Sequence, residues 1–181
     1  FIKNPVNPDV ELWLGAIERV AKAGIKRIAA VHRGFSSYEK TTYRNQPNWQ
    51  IPIELRRRIP DLPIICDPSH ISGNREYIHE ISQKALDLNF DGLMIESHIN
   101  PSAALSDAGQ QLAPEDLKEL LLRLILRSPS TSDQKLLDIL GELRQQIDVY
   151  DDYMIDLLEK RMKVAEKIGM YKKENNITIL Q

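Results

Sequence analysis

The 181-residue chain is short of cysteine, of long apolar runs and of surplus positive charge, and each shortage excludes something. Its single cysteine, Cys66, rules out an internal disulfide framework and fits a reducing, cytoplasmic compartment. No apolar stretch approaches the length of a membrane span, and no signal peptide opens the chain, so no membrane association is expected. With 24 Lys and Arg against 26 Asp and Glu, there is no basic excess, and nucleic acid is not an expected partner. The chain also lacks an initiator methionine. It opens at Phe1 in what reads as mid-strand, the pattern expected of a piece of a longer protein.

What is present is an alternation of short apolar runs and amphipathic stretches. Strands are expected at residues 1–3, 26–32, 63–66 and 91–96, because short apolar runs bounded by Pro, Gly and Asp suit strands buried on both faces. Helices are expected at 9–23, 51–59, 75–88 and 114–126. Leu12, Leu14, Ile17, Val20 and Ala21 recur near the helical period before Gly24, and Pro114 suits a first helical turn. The polar connection over 35–50 is long, and such loops are usually functional or mobile. Repeated strand–helix units imply a parallel α/β sheet with right-handed crossovers. Four such units make half of a (β/α)8 TIM barrel.

Residues 127–133 (Arg-Ser-Pro-Ser-Thr-Ser-Asp) have a linker's composition, and Thr131 to Gln134 reads as a capping box. Beyond them one helical pattern runs from 134 to about 174. Its seam steps by four and three through Leu136, Leu140, Leu143, Ile147, Tyr150, Met154, Leu157, Arg161, Val164, Ile168 and Lys172. A helix of about 40 residues is about 60 Å long and needs partner helices, most simply a second copy of itself. Arg161 and Lys172 stand where the repeat expects apolar residues, 11 apart and therefore on one face. Arg144 lies 17 residues before Arg161, about 100° round the helix, and should look toward a different neighbour. Buried cations need anions. The bland reading is that acidic side chains of a partner helix supply them, or that the cations snorkel from the seam edge; the sharper reading is a pocket for an anionic ligand.

In the first part, Asp67-Pro68-Ser69-His70 and Ile95-Glu96 follow apolar runs, and Leu105-Ser106-Asp107 comes next. One His and two carboxylates at strand carboxyl ends suit a divalent metal of the manganese, iron or zinc kind. The bland reading is a core histidine with two capping or solvated carboxylates. Lys3 alone reads as solvated and Arg33 as a helix cap or a partner of Asp67, yet together, at neighbouring strand ends, they suit a phosphate clamp. Cys66 reads as a buried small residue, and Ser72-Gly73-Asn74 as a weak phosphate cradle. His98 is left open, and Trp13 and Trp49 read as packing residues.

Lys3-Asn4-Pro5, Val31-His32-Arg33-Gly34, Asp67-Pro68-Ser69-His70, Ile95-Glu96 and Ala104-Leu105-Ser106-Asp107 together resemble 3-deoxy-D-arabino-heptulosonate 7-phosphate (DAHP) synthases of the short type I β form, over residues 1–126. Residues 134–181 resemble the first helix of the all-helical chorismate mutases, on Leu143-Arg144, Glu159-Lys160-Arg161 and Gly169-Met170-Tyr171-Lys172. The resemblance implies the C-terminal half of a TIM barrel followed by a mutase helix in a bifunctional enzyme of aromatic amino-acid biosynthesis. It implies a divalent metal (Mn, Fe, Co or Zn) on His70, Glu96 and Asp107, with a fourth ligand, a Cys, from an earlier strand. It also implies phosphoenolpyruvate at Lys3 and Arg33, erythrose 4-phosphate as co-substrate, and chorismate at Arg144, Arg161 and Lys172 with no cofactor. A homodimer through the long helix is expected, Arg144 serving the other subunit's site. Many relatives carry Glu where His32 stands. The competing reading makes the helical tail a dimerisation or regulatory module without mutase activity.

Overall fold

The computed structural model describes residues 1–39 and 41–178. They fall into two compact units, dividing after Arg127.

The first unit is built on four parallel strands in sequential order: β1 (Ile2–Lys3), β2 (Ala30–His32), β3 (Ile64–Cys66) and β4 (Gly92–Leu93). Lys3 lies beside Val31, and His32 beside Cys66, so the carboxyl ends of β1 to β3 are aligned. Each strand leads into helical structure. Helix α1 (Val10–Lys22) starts where the Asp9 side chain accepts from the backbone N–H groups of Glu11 and Leu12, and it buries Trp13 and Ile17. Helix α2 (Gln50–Arg58) buries Pro52 and Leu55. Helix α4 (Ile78–Asp87) and α5 (Pro114–Arg123) follow β3 and β4. Trp13, Ile17, Leu55, Ile64, Cys66, Ile71, Ile81 and Ala85 form the main core between sheet and helices. Trp13 is fully buried, as a packing residue should be.

The structure corrects several boundaries. The second strand begins at Ala30 rather than 26, and the fourth ends at Leu93 rather than 96. A five-residue helix not expected from the sequence, α3 (Pro68–Ser72), follows β3 directly. His70 therefore sits in a helical turn beyond its strand, and Glu96 three residues past the end of β4. Residues 75–77 form a 3-10 turn ahead of α4.

The second unit is dominated by α6 (Gln134–Glu174), 41 residues without a break. Its N-cap is Asp133, which accepts from the backbone of Lys135 and Leu136, so the capping box expected at Thr131 is not formed. No residue of α6 is buried. The apolar seam from Leu136 to Ile168 lies open, Tyr150 being 63% and Leu157 64% exposed.

Candidate functional site

The motif Asp67-Pro68-Ser69-His70 is a helix start in which each residue has a task. Asp67 is the N-cap and Pro68 occupies the first turn, where its missing N–H is no loss. The Asp67 carboxylate accepts from the His70 backbone N–H at 3.1 Å and lies 2.8 Å from His70 Nδ1. An ionised carboxylate can only accept, so Nδ1 carries the proton and Nε2 presents its lone pair. Asp67 itself is 1% exposed and pairs with Lys3 Nζ at 3.2 Å. Burial alone would push its carboxyl up, but the bonds from His70 and Lys3 outweigh it and hold the group below the ordinary carboxylate value. The partner of Asp67 is thus Lys3, not Arg33. Ser69, fully buried, accepts from the Glu96 backbone N–H at 3.0 Å, a side chain continuing what the strand ladder has ceased to do.

His70 Nε2 lies 3.7 Å from Glu96 Oε1. The stretch beyond Glu96 is closed by Ser97 pairing with Leu112 and by Leu112 N–H donating to the Glu96 carbonyl. That closure returns Asp107, in a left-handed conformation with φ 50°, to the same place. One donor atom from each of His70, Glu96 and Asp107 lies within 4.8 Å of the others. One imidazole with a free Nε2 and two carboxylates suit a borderline divalent ion, so the donor set fits the expected metal. The Arg44 guanidinium, 2.7 Å from Asp107 Oδ1, holds that carboxyl below its usual value, with His70 and Arg33 adding to the effect.

Arg33 is held at its backbone, where its N–H donates to Asn4 Oδ1 at 2.7 Å. Asn4 also donates to the Gly34 carbonyl at 2.8 Å, which ties the ends of β1 and β2 together. Arg33 Nε is buried without a partner among the described residues. Lys3 is 44% exposed at its side chain. The two cations stand at neighbouring strand ends with donor capacity to spare.

Other expected residues lie elsewhere. Arg144 and Arg161 are exposed on α6, and Lys172 is half-buried on it. His98 Nδ1 engages the Asn100 backbone and does not join the cluster. Ser72 gives its hydroxyl to the Ser69 carbonyl, and the Arg44 side chain lies over Gly73, which argues against the phosphate cradle. Cys66 is buried, and burial raises its thiol well above the ordinary value. His32 turns away from the cation edge into the core, fully buried among the rings of Trp13, Phe35, Trp49 and Phe90. Sequence reasoning did not give Arg44 or Gln110 a part, and named Asn4 only within the Lys3-Asn4-Pro5 motif, without a role. Only Asp67 had a signal, an Asp before Pro three residues ahead of a candidate ligand.

The His–Glu–Asp cluster thus lies beyond the carboxyl edge of a parallel sheet. Residues 1–126 match the family model described as the DAHP synthetase I family, and residues 143–181 match the one described as chorismate mutase type II. The phospho-2-dehydro-3-deoxyheptonate aldolase of Thermotoga maritima is 33% identical over 132 residues, covering 73% of this chain and 36% of that protein. A 2-dehydro-3-deoxyphosphooctonate aldolase of Desulfotalea psychrophila is 29% identical over 125 residues, 61% of this chain and 41% of its own length. The crystal structure of the Thermotoga maritima DAHP synthase aligns with a TM-score of 0.62 at 32% identity, covering 77% of this chain and 38% of that one. A truncated form of the same organism's enzyme aligns with a TM-score of 0.61, covering 49% of its chain. The chain belongs to the DAHP synthetase I family and carries a chorismate mutase type II segment at its C-terminal end.

Proposed function

We propose that residues 1–126 contribute to a metal-dependent condensation of phosphoenolpyruvate with erythrose 4-phosphate, giving DAHP and phosphate. Beyond a linker at 127–133, residues 134–181 contribute to the rearrangement of chorismate to prephenate. The observation that carries the first part is the convergence of His70, Glu96 and Asp107, with Asp67 fixing the His70 tautomer. When bound there, a divalent ion of the Mn, Fe, Co or Zn type supplies Lewis acidity toward the sugar-phosphate aldehyde. Lys3 and Arg33 hold the phosphate and carboxylate of phosphoenolpyruvate against their mutual repulsion, and the unpartnered Arg33 Nε is a donor awaiting an acceptor. Asn4 fixes where Arg33 begins, so the clamp does not have to be assembled on binding.

The mutase requires no metal and no covalent intermediate. Arg161 and Lys172, on one face of α6, hold the carboxylates of chorismate in the reactive fold and offset charge on the ether oxygen as that bond breaks. Arg144 serves the equivalent site of a second copy, so the working form is a homodimer through α6, in the cytoplasm.

The octonate name of the Desulfotalea psychrophila relative favours a second reading for the first reaction, with a pentose phosphate in place of erythrose 4-phosphate. The mutase-type segment favours the four-carbon acceptor, because chorismate chemistry belongs with aromatic biosynthesis. In the full-length protein, phosphoenolpyruvate consumption with each aldose phosphate, and chorismate loss, are followed with and without a chelator. The reading requires that the chelator stops the first reaction with erythrose 4-phosphate and spares the second. Untouched chorismate in both conditions makes α6 a scaffold. Arg161→Ala should abolish chorismate turnover and leave the dimer intact.

A further inference from the structure

The two acidic residues of the cluster are not independent. Gln110, 1% exposed, donates through Nε2 to Glu96 Oε2 at 2.7 Å. Its Oε1 accepts from Arg44 Nη1 at 3.1 Å, and the same Nη1 donates to Asp107 Oδ1 at 2.7 Å. Gln111 Nε2 adds a longer contact of 3.4 Å to Glu96 Oε2. One oxygen of each carboxylate is therefore taken from the protein side. Glu96 Oε1, facing His70 Nε2, is left, and so is Asp107 Oδ2, which has no hydrogen-bond partner among the described residues.

Arg44 is placed for this by backbone. Its N–H donates to the Ser72 carbonyl at 3.1 Å, that of Asn45 to the Ile71 carbonyl at 3.0 Å, and Asn45 Nδ2 to the His70 carbonyl at 2.7 Å. The loop carrying Arg44 is thus fastened along the helix that carries His70. Its side chain crosses Gly73, at φ +66°, where a Cβ would come within 2.6 Å of Arg44 Cβ.

We propose that Arg44 and Gln110 are positioning residues that make Glu96 and Asp107 single-oxygen ligands, and so select a small, strictly coordinated divalent ion over calcium. The physical reason lies in what each cation accepts. Calcium takes six to eight oxygens and gains from bidentate carboxylates, whereas smaller divalent ions take fewer donors at fixed angles. A carboxylate oxygen held by a guanidinium or an amide is turned toward that donor and is the poorer ligand, so the other oxygen is the one presented. Groups that hold ligands in this way typically change metal affinity about 10–100-fold.

This inference rests on the metal reading above, and the test separates the two. Mn(II) and Ca(II) are titrated calorimetrically into the full-length protein, first stripped with chelator, as wild type, Arg44→Met, Arg44→Lys, Gln110→Met and His70→Ala. Arg44→Met should weaken Mn(II) binding about 10–100-fold. Ca(II) should weaken less, so the preference for Mn(II) falls. Arg44→Lys keeps the charge but not the two-acceptor reach, and should recover only part of the preference. Arg44→Met and Gln110→Met combined should fall short of the sum of their separate effects, as members of one network do. The side chain of Arg44 is half exposed, so its variants should melt near wild type in chelator even where Gln110→Met does not. Unchanged Mn(II) affinity and preference in Arg44→Met, with binding lost in His70→Ala, would overturn the relay alone. Wild-type binding in His70→Ala would overturn the metal site and the relay together.

Discussion

Replacing His32 by leucine should make the first unit less sensitive to acid. Both ring nitrogens of His32 are buried without a hydrogen-bond partner, and burial among four aromatic rings lowers its pKa from 6.5 to about 3. The Pro47 carbonyl and the Asp67 carboxylate offset only part of that. In the unfolded chain the imidazole takes up a proton near pH 6.5, while in the fold it resists until about 3. Protonation therefore favours the unfolded state. The stability is full above 6.5, erodes as the pH falls, and stops eroding near 3. At one and a half units below 6.5 the loss is about 2 kcal/mol, and its limit is about 5 kcal/mol. Leucine surrenders no more than the approach of the Pro47 carbonyl, which falls short of a hydrogen bond, so near neutrality the variant should stay within about 1 kcal/mol of wild type. By pH 5 wild type should have lost about 2 kcal/mol relative to it. Urea titrations of the full-length protein from pH 7.5 to 5, read by the fluorescence of Trp13 and Trp49, check this. Both rings lie against His32, within 6.4 Å and 5.3 Å between centroids. A wild-type-minus-variant difference that does not change with pH, or changes in the opposite sense, refutes the buried neutral imidazole.

Asp67→Asn replaces an acceptor by an amide that can donate to His70 Nδ1 and shift the proton to Nε2. Mn(II) affinity should fall about 10–100-fold by calorimetry, and an unchanged value would separate Asp67 from the ligand. Gly34→Ala places a Cβ 2.7 Å from Asn45 Cβ at φ +77°. The left-handed backbone alone costs about 1–2 kcal/mol. The melting temperature should drop, and phosphoenolpyruvate binding should weaken through the adjoining Arg33; a wild-type melt would show that the loop yields. Cys66, fully buried with its thiol pushed well up, should resist iodoacetamide at pH 8 in native protein and react on unfolding.

The sequence made the helices legible where periodicity and caps agreed. Helix α1 has both an Asp cap and a repeating apolar face, and α6 keeps its period throughout its length. The ends of strands were less visible. Met94 and Ile95 carry apolar side chains like Leu93 before them, yet the ladder ends where Met94 N–H reaches the Cys66 carbonyl. Ser69 Oγ then takes the Glu96 N–H, a replacement no local pattern announces. The candidate ligands could be named because their residue types are scarce and sit after apolar runs. Arg44 could not, because its loop has no period. Its position depends on backbone bonds to Ile71 and Ser72, far along the chain. His32 was ambiguous for another reason. On a strand buried on both faces, the last residue can turn to the edge or the core, and packing against four rings decided for the core.

The two proposed chemistries make different demands on the chain. The metal cluster draws its three named ligands, and the residues that hold them, from one compact unit, so their relative geometry is set by local bonds. Arg144 and Arg161 of α6 have no such surroundings among the described residues. Arg144 and Arg161 are exposed on a helix with no buried residue, and every apolar position of its seam remains to be covered. Three cations along one helix cannot enclose a dicarboxylate, because a low-dielectric pocket needs walls on the other sides. Arg161 and Lys172, which would attract chorismate, belong to the same seam as the residues that would attract a second helix, Arg161 lying between Leu157 and Val164. On this reading, association and mutase-site formation are a single event, whereas the geometry of His70, Glu96 and Asp107 is set by bonds within the first unit.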